Sequence, residues 1–244
     1  MALLNTVYQP TSAAEAAALL ARPHERLALL AGGSRLIADL ETRTRRDLDG
    51  VIDLSRAGLD GLELRDGAVH AGATVTFSQI IQHEIAGALA GGLLRRAAAG
   101  EGPVNLRNVA TLGGVVASAE TDSEVYAALL ALGASVVLHD GQTEQTLPLD
   151  EVQGVPGLIT AVIIPAQAAQ GGLARVARTP ADRPIVAALA VRTGAGERVA
   201  LCGVAPRPVL LGSELAPPDD FKGSAAYRRA MIDVVVERAR AEIA

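Results

Sequence analysis

The sequence reads as an α+β protein. Three observations predict it. A short strand, helix, strand succession near the N-terminus suggests a small parallel α/β unit. Two Asp-Gly pairs, each between apolar runs, signal hairpins further on. Three strand-like runs and one amphipathic helix then close the chain. The elements follow in order. Ser12 and Glu15 form a Ser-x-x-Glu capping box ahead of an Ala/Leu helix to Ala21, closed by Pro23. Leu27 to Leu30 reads as a short buried strand ending at Gly32-Gly33. Ser34 is placed to cap a helix of about Arg35 to Thr42, and Gly50 to Leu54 reads as a strand.

The pattern changes after residue 55. Leu62 to Leu64 and Ala68 to Ala71 flank Asp66-Gly67 as a first hairpin. Ser78 to His83 and Ala86 to Ala99 read as helices. Gly100 to Ser118, rich in Gly, Asn and Pro, reads mostly as loop. A helix is expected over about Ser123 to Leu132. Ser135 to Leu138 and Thr143 to Leu147 flank Asp140-Gly141 as a second hairpin. A strand over Leu158 to Ile164 ends at Pro165. The polar, Gly/Ala-rich run Ala166 to Gly172 is a candidate linker. Beyond it, Leu173 to Arg178, Ile185 to Arg192 and Arg198 to Val204 read as strands, the last two joined at Gly194-Ala195-Gly196. The terminal helix spans about Ser224 to Ile243, with Met231, Val234 and Val235 set opposite Arg228, Arg229 and Glu237.

Composition narrows the function. The 244 residues suit one large domain or two small ones. Half are hydrophobic, mostly Ala, Leu and Val, so small aliphatics must fill the core. The only aromatics are Tyr8, Phe77, Tyr126, Phe221 and Tyr227, too few for base-stacking surfaces. With a net charge of -5 and no long basic run, nucleic acid is an unexpected partner. Cys202, the only cysteine, can form no internal disulfide and can hold neither an iron–sulfur cluster nor a structural zinc unaided. A cytoplasmic, reducing setting fits this. No targeting segment or membrane span is read, so no membrane insertion is expected.

Two Gly-Gly loops carry the chemistry. Ala31-Gly32-Gly33-Ser34 ends a strand and opens a helix, where unpaired amides and the helix dipole attract anions. Glycine lets such a backbone approach a phosphate. The same residues would also serve as a plain strand-to-helix turn. Thr111-Leu112-Gly113-Gly114 follows Asn105, Arg107 and Asn108, which supply donors. Converging, the two loops would clasp a pyrophosphate; otherwise the second is a loop whose polar groups satisfy its own backbone. Glu120, Asp122 and Glu124 precede an apolar helix. There they favour the helix N-terminus, and one could accept bonds from a ribose. Spacing does not choose between Asp122 and Glu124.

The sequence has no Gly-x-Gly-x-x-Gly, P-loop lysine or Gly-x-Ser-x-Gly elbow. His24, His70, His83 and His139 are scattered and have no ligand spacing, so no metal site is expected. No nucleophile–base pair stands out, hence no catalytic residue is named. Redox chemistry here would belong to a cofactor.

Taken together, the loops resemble the FAD-binding subunit of the molybdenum hydroxylases, the xanthine dehydrogenase and carbon monoxide dehydrogenase family. The resemblance rests on Leu30 to Ile37, Val51-Ile52-Asp53-Leu54-Ser55, Leu106 to Gly114, Ala127 to Ala134, Gly203-Val204-Ala205-Pro206-Arg207-Pro208 and Gly223 to Arg229. These occur in the family's order. It implies a two-subdomain, PCMH-like FAD-binding domain at 1–166 (subdomains about 1–55 and 56–166). A small domain of three antiparallel strands plus helices would follow at 172–244. It implies FAD contacts from Leu30, Ala31, Gly32, Gly33, Ser34, Arg35, Leu36 and Ile37. The second loop would add Asn108, Thr111, Gly113 and Gly114. Ser123 and Glu124 match the acidic position on the ribose side, and Leu158 and Ile159 a run near the flavin.

It further implies partners. An iron–sulfur small subunit would carry [2Fe-2S] clusters and a large subunit the molybdenum cofactor. This chain's FAD would pass electrons to NAD+, a quinone or another acceptor. Two positions depart from the family pattern: Glu120-Thr121-Asp122 replaces a stretch that usually contains proline, and Arg35 stands where Ser, Asp or Glu is usual. The rival expectations are a self-contained FAD-dependent oxidase or dehydrogenase and a scaffold subunit that has lost FAD.

Overall fold

The computed structural model describes residues 4–244. Strands β1 (Thr6–Tyr8), β2 (Leu27–Leu30) and β3 (Gly50–Asp53) form an all-parallel sheet in the order β1-β3-β2. Helices α1 (Ala13–Leu20) and α2 (Leu36–Glu41) make the crossovers. This is the expected parallel unit with one further strand, β1. Ser12 caps α1 by accepting from the Glu15 amide at 3.2 Å, but the Glu15 carboxylate returns to the Thr11 amide instead of that of Ser12. Ser34 does not cap α2. Arg35 occupies the cap position without a side-chain cap bond, which corrects the expectation.

The middle part is an antiparallel sheet in the order β4-β5-β8-β6-β7. Its strands are β4 (Leu62–Arg65), β5 (Ala68–Gly72), β6 (Ser135–His139), β7 (Glu144–Pro148) and β8 (Leu158–Pro165). Asp66 and Gly67, with φ of 52° and 75°, turn the first hairpin as the Asp-Gly pair requires. Five helices follow or interrupt these strands: α3 (Phe77–Gln82), α4 (Glu84–Gly100), α5 (Val104–Arg107), α6 (Leu112–Ser118) and α7 (Glu124–Ala131). Of these, α3, α4, α6 and α7 share a core with the sheet, and α5 lies against α3. The stretch expected as loop after Gly100 thus holds two short helices. Helix α4 is broken at Leu89–Gly92, where Ala90, Gly91 and Gly92 take positive φ.

The C-terminal sheet runs β12-β11-β10-β9 and is antiparallel throughout. It has the three expected strands, β9 (Ala169–Val176), β10 (Val186–Thr193) and β11 (Gly196–Cys202), and a two-residue β12 (Val209–Leu210). Helix α8 (Ala225–Ala241) covers it. Two expectations need correction. Most of the candidate linker is strand, because β9 begins at Ala169. Its glycines serve close packing: a Cβ at Gly171 would stand 2.3 Å from the Ala90 carbonyl oxygen, and one at Gly172 would stand 2.0 Å from that of Ala239. Arg228 lies on the buried face of α8, not the polar one. It donates to the carbonyls of Ile185 (2.5 Å) and Gly203 (3.0 Å) and to Asp220 (2.7 Å).

Helix α7 is buried along its whole length, as its apolar run Val125–Ala131 requires, and takes Glu124 into the interior with it. It packs on both β10 and β11, and the C-terminal Ala187, Leu189, Val191 and Cys202 share one core with α4 and α7. The N-terminal sheet keeps a separate, smaller core around Ala16, Ile52 and Leu54.

Candidate cofactor cleft

The two Gly-Gly loops meet. A Cβ on Gly32 would stand 1.6 Å from the Val109 carbonyl oxygen, so only glycine lets the first loop lie against the second. Beside this contact opens a cleft of about 580 Å3. One wall is Ala31 to Leu36; the other is the face of α6 that carries Gly114, Ala117 and Ser118. Of the residues expected to hold the cofactor, Ala31, Gly32, Gly33, Ser34, Arg35, Leu36, Thr111 and Gly114 line it.

The two loops differ as hydrogen-bond donors. In the first, the amides of Gly32, Gly33, Ser34 and Arg35 donate to no group among the described residues. This is an unspent donor row facing a cavity, the arrangement an anion needs. In the second, the donors are already used. The Leu112 amide donates to the Val75 carbonyl (3.0 Å), Gly113 to Ala73 (2.8 Å) and Gly114 to the Thr111 hydroxyl (3.2 Å). Gly113 is required because a Cβ would stand 2.7 Å from that of Ala73. Asn108 accepts from Ser78 (2.5 Å), and Arg107 turns inward to the Ala99 carbonyl (3.0 Å). The second loop therefore contributes shape, and the first contributes amides.

Other expected residues lie away from the cleft. Leu30 and Ile37 support Gly33 from behind through their side chains. Ser123 caps α7 by accepting from the Tyr126 amide at 3.1 Å. The Glu124 carboxylate is buried and pairs with Arg175 of β9 at 3.4 Å, with its Oε1 unpartnered. Burial pushes its pKa up to about 7, against the pull of Arg175. Leu158 is in the core beneath α1, and Ile159 packs on the same cluster.

The structure adds two residues that no motif announced, Glu101 and Arg183, which line the cleft together with Glu120. Arg183 donates to Glu101 (2.5 Å), Asp122 (3.0 Å) and Glu120. Glu120 also reaches Arg35 of the first loop at 2.6 Å, and Lys222 pairs with Asp122. Burial works against the Arg183 charge, but Glu101, Asp122 and Glu120 outweigh it and hold its pKa above the ordinary value. Burial raises the Glu101 pKa, opposed by Arg183. The acidic run 120–124 was visible in the sequence. Arg183, between Asp182 and Pro184, belongs to no recognisable pattern.

FAD suits this cleft: its pyrophosphate is a dianion that needs unpaired donors, and the first loop has them. Comparison with known proteins agrees. Residues 4–167 match the family described as the FAD binding domain in molybdopterin dehydrogenase. An uncharacterized Escherichia coli K12 protein, YgfM, is 28% identical over 96% of this chain and 94% of its own length. The carbon monoxide dehydrogenase medium chain of Afipia carboxidovorans is 29% identical over 95% of this chain and 94% of its own. Among solved structures, carbon monoxide dehydrogenase from Hydrogenophaga pseudoflava superposes with a TM-score of 0.89 at 25% identity, covering 99% of this chain and 98% of that one. The chain belongs to the FAD-binding family of molybdopterin dehydrogenases and is the flavin subunit of an oxidoreductase of the molybdenum hydroxylase kind.

Proposed function

We propose that this chain is the electron-transfer subunit of a molybdenum hydroxylase complex. It would take electrons from [2Fe-2S] clusters on an iron–sulfur small subunit, which a molybdenum-cofactor large subunit reduces. It would pass them to NAD+, a quinone or another acceptor. The observation that carries this reading is the unspent amide row Gly32 to Arg35 on the cleft. Relatives named as medium chains support the assembly, since a medium chain implies others.

Bound in the cleft, FAD would supply the one- and two-electron chemistry that the side chains lack. The chain's own part is binding and electrostatics. The amides of Gly32, Gly33, Ser34 and Arg35 hold the pyrophosphate. Gly114, with Ala117 and Ser118, gives a wall low enough for close approach. Thr111 fixes that wall by capping α6. The proposed contact set is thus Ala31 to Leu36, Thr111 and Gly114. Leu30, Ile37, Asn108, Gly113, Ser123, Glu124, Leu158 and Ile159 act behind it, as packing and capping residues. The FAD-binding domain is placed at 1–166 and the second domain at 172–244, joined through the start of β9. The lone buried Cys202 fits a reducing compartment, and we place the complex in the cytoplasm.

The absorption spectrum of the purified chain tests the core of this. Flavin bands after incubation with FAD are expected; their absence would refute the reading. Co-purification with an iron–sulfur and a molybdenum subunit tests the assembly.

A further inference from the structure

At the mouth of the cleft a single guanidinium, that of Arg183, reaches three carboxylates. Arg183 stands in the connection between β9 and β10, outside the stretch matched to the FAD-binding family. It reaches Glu101 at 2.5 Å, Asp122 at 3.0 Å and Glu120. Glu101 is almost fully buried, and Glu101 and Glu120 face the same cavity as the unspent amide row. The charged residues on the cleft wall are Arg35, Arg45 and Arg183 against Asp39, Glu101 and Glu120, so three cations balance three anions. Asp122 lies just beyond, in an adjoining hollow of about 630 Å3 that Arg183 also lines.

We propose that Arg183 is the charge-compensating residue of the cofactor site: by neutralising Glu101, Glu120 and Asp122 it makes the cleft receptive to a dianionic pyrophosphate. The inference rests on the proposed function, since it takes FAD as the occupant. Fixing the loop does not require Arg183. The Gly203 amide already donates to the Thr121 carbonyl (2.6 Å), the Thr121 hydroxyl donates to the Ala205 carbonyl (2.5 Å), and Lys222 pairs with Asp122. What no other residue supplies is positive charge against Glu101 and Glu120 together. Arg35 reaches only Glu120, and it is largely exposed. Without Arg183, two cations face three anions on the wall, and the Glu120 carboxylate competes with the incoming phosphate for Arg35.

Charge, unlike shape, is restored by deleting its opposite. The test is therefore a charge-removal cycle on the full chain, stripped of flavin. Wild type, R183M, E120Q and R183M/E120Q are titrated with FAD by calorimetry at low and high salt, and each apo-protein is melted. R183M should weaken FAD roughly tenfold or more at low salt. The loss should change with ionic strength, because the site is partly open to solvent. R183M/E120Q should regain most of the affinity. E120Q alone, which keeps Arg183 and frees Arg35, should bind FAD as tightly as wild type or more tightly.

Wild-type affinity in R183M overturns the inference, and so does a double variant no better than R183M. If R183M does not fold, weaker binding by E120Q overturns it instead. A wild-type chain that takes up no FAD refutes the proposed function and this inference together, whereas wild-type uptake with either failure above removes the inference alone.

Discussion

A methyl group at Gly32 would collide with the Val109 carbonyl oxygen at 1.6 Å, whereas at Gly114 the nearest atom is the Thr111 hydroxyl at 3.0 Å. The two substitutions should therefore separate folding from binding. Gly32→Ala must part the loops, and a loss of about 3 kcal/mol or more in urea unfolding is expected, with FAD binding lost too. Gly114→Ala should leave the apo-protein within about 1 kcal/mol of wild type and weaken FAD, because the methyl group enters the cleft. Equal stability losses in both would refute the distinction. The sequence shows the glycines but not their separate reasons: Gly32 answers to Val109 and Gly113 to Ala73, both from elsewhere in the chain, while Gly114 borders the cleft. Glu124 teaches the same lesson. The resemblance implies a ribose-side role for it, and in the fold its side chain turns to Arg175, fifty-one positions away. With a folded pKa near 7 and an ordinary value of 4.5, Glu124 holds a proton in the native state that the unfolded state releases. Stability from this group is therefore full below pH 4.5 and falls as pH rises through 7. Glu124→Gln should remove that slope. Its melting temperature relative to wild type should rise from pH 5 to pH 8, by an equivalent of at most ~3 kcal/mol. A pH-independent difference would refute the raised pKa.

At the scale of elements, local signals were legible wherever a local cause decides the structure. The Asp66-Gly67 hairpin, the Ser12 cap, β2 and the existence of α7 all follow from short-range chemistry. The misreadings lie where tertiary packing supplies the cause. Gly100 to Ser118 looked like loop because its glycines and asparagines favour turns. In the fold, Thr111 caps α6 and Gly113 is needed for contact with Ala73. Ala166 to Gly172 looked like linker for its small residues, but Gly171 and Gly172 bring β9 against the break in α4 and against α8. Gly172→Ala decides between those readings. As a linker substitution it would be silent. As a strand substitution 2.0 Å from the Ala239 carbonyl it should cost about 2 kcal/mol or more, seen as a lower urea midpoint with an unchanged slope.

Across the whole molecule, the cleft joins three parts of the chain, of which the N-terminal one has its own core. The N-terminal sheet presents the first loop, the middle part presents α6, and the C-terminal part supplies Arg183. The middle and C-terminal parts share a core through α7, whereas the N-terminal unit packs more lightly on them. A ligand held between the first loop and α6 must therefore couple the least integrated unit to the rest. FAD at a hundredfold excess over its Kd should add about 2.7 kcal/mol, or roughly 5–10 °C in melting temperature. Hydrogen exchange locates the effect. In the apo-protein the amides of Leu112, Gly113 and Gly114 already have acceptors and should exchange slowly, while those of Gly32 to Arg35 have none and should exchange fast. FAD should protect 32–35 strongly and change 112–114 little. Equal new protection in both loops would mean that the second also donates to the cofactor, and that α6 gives up its internal bonds on binding.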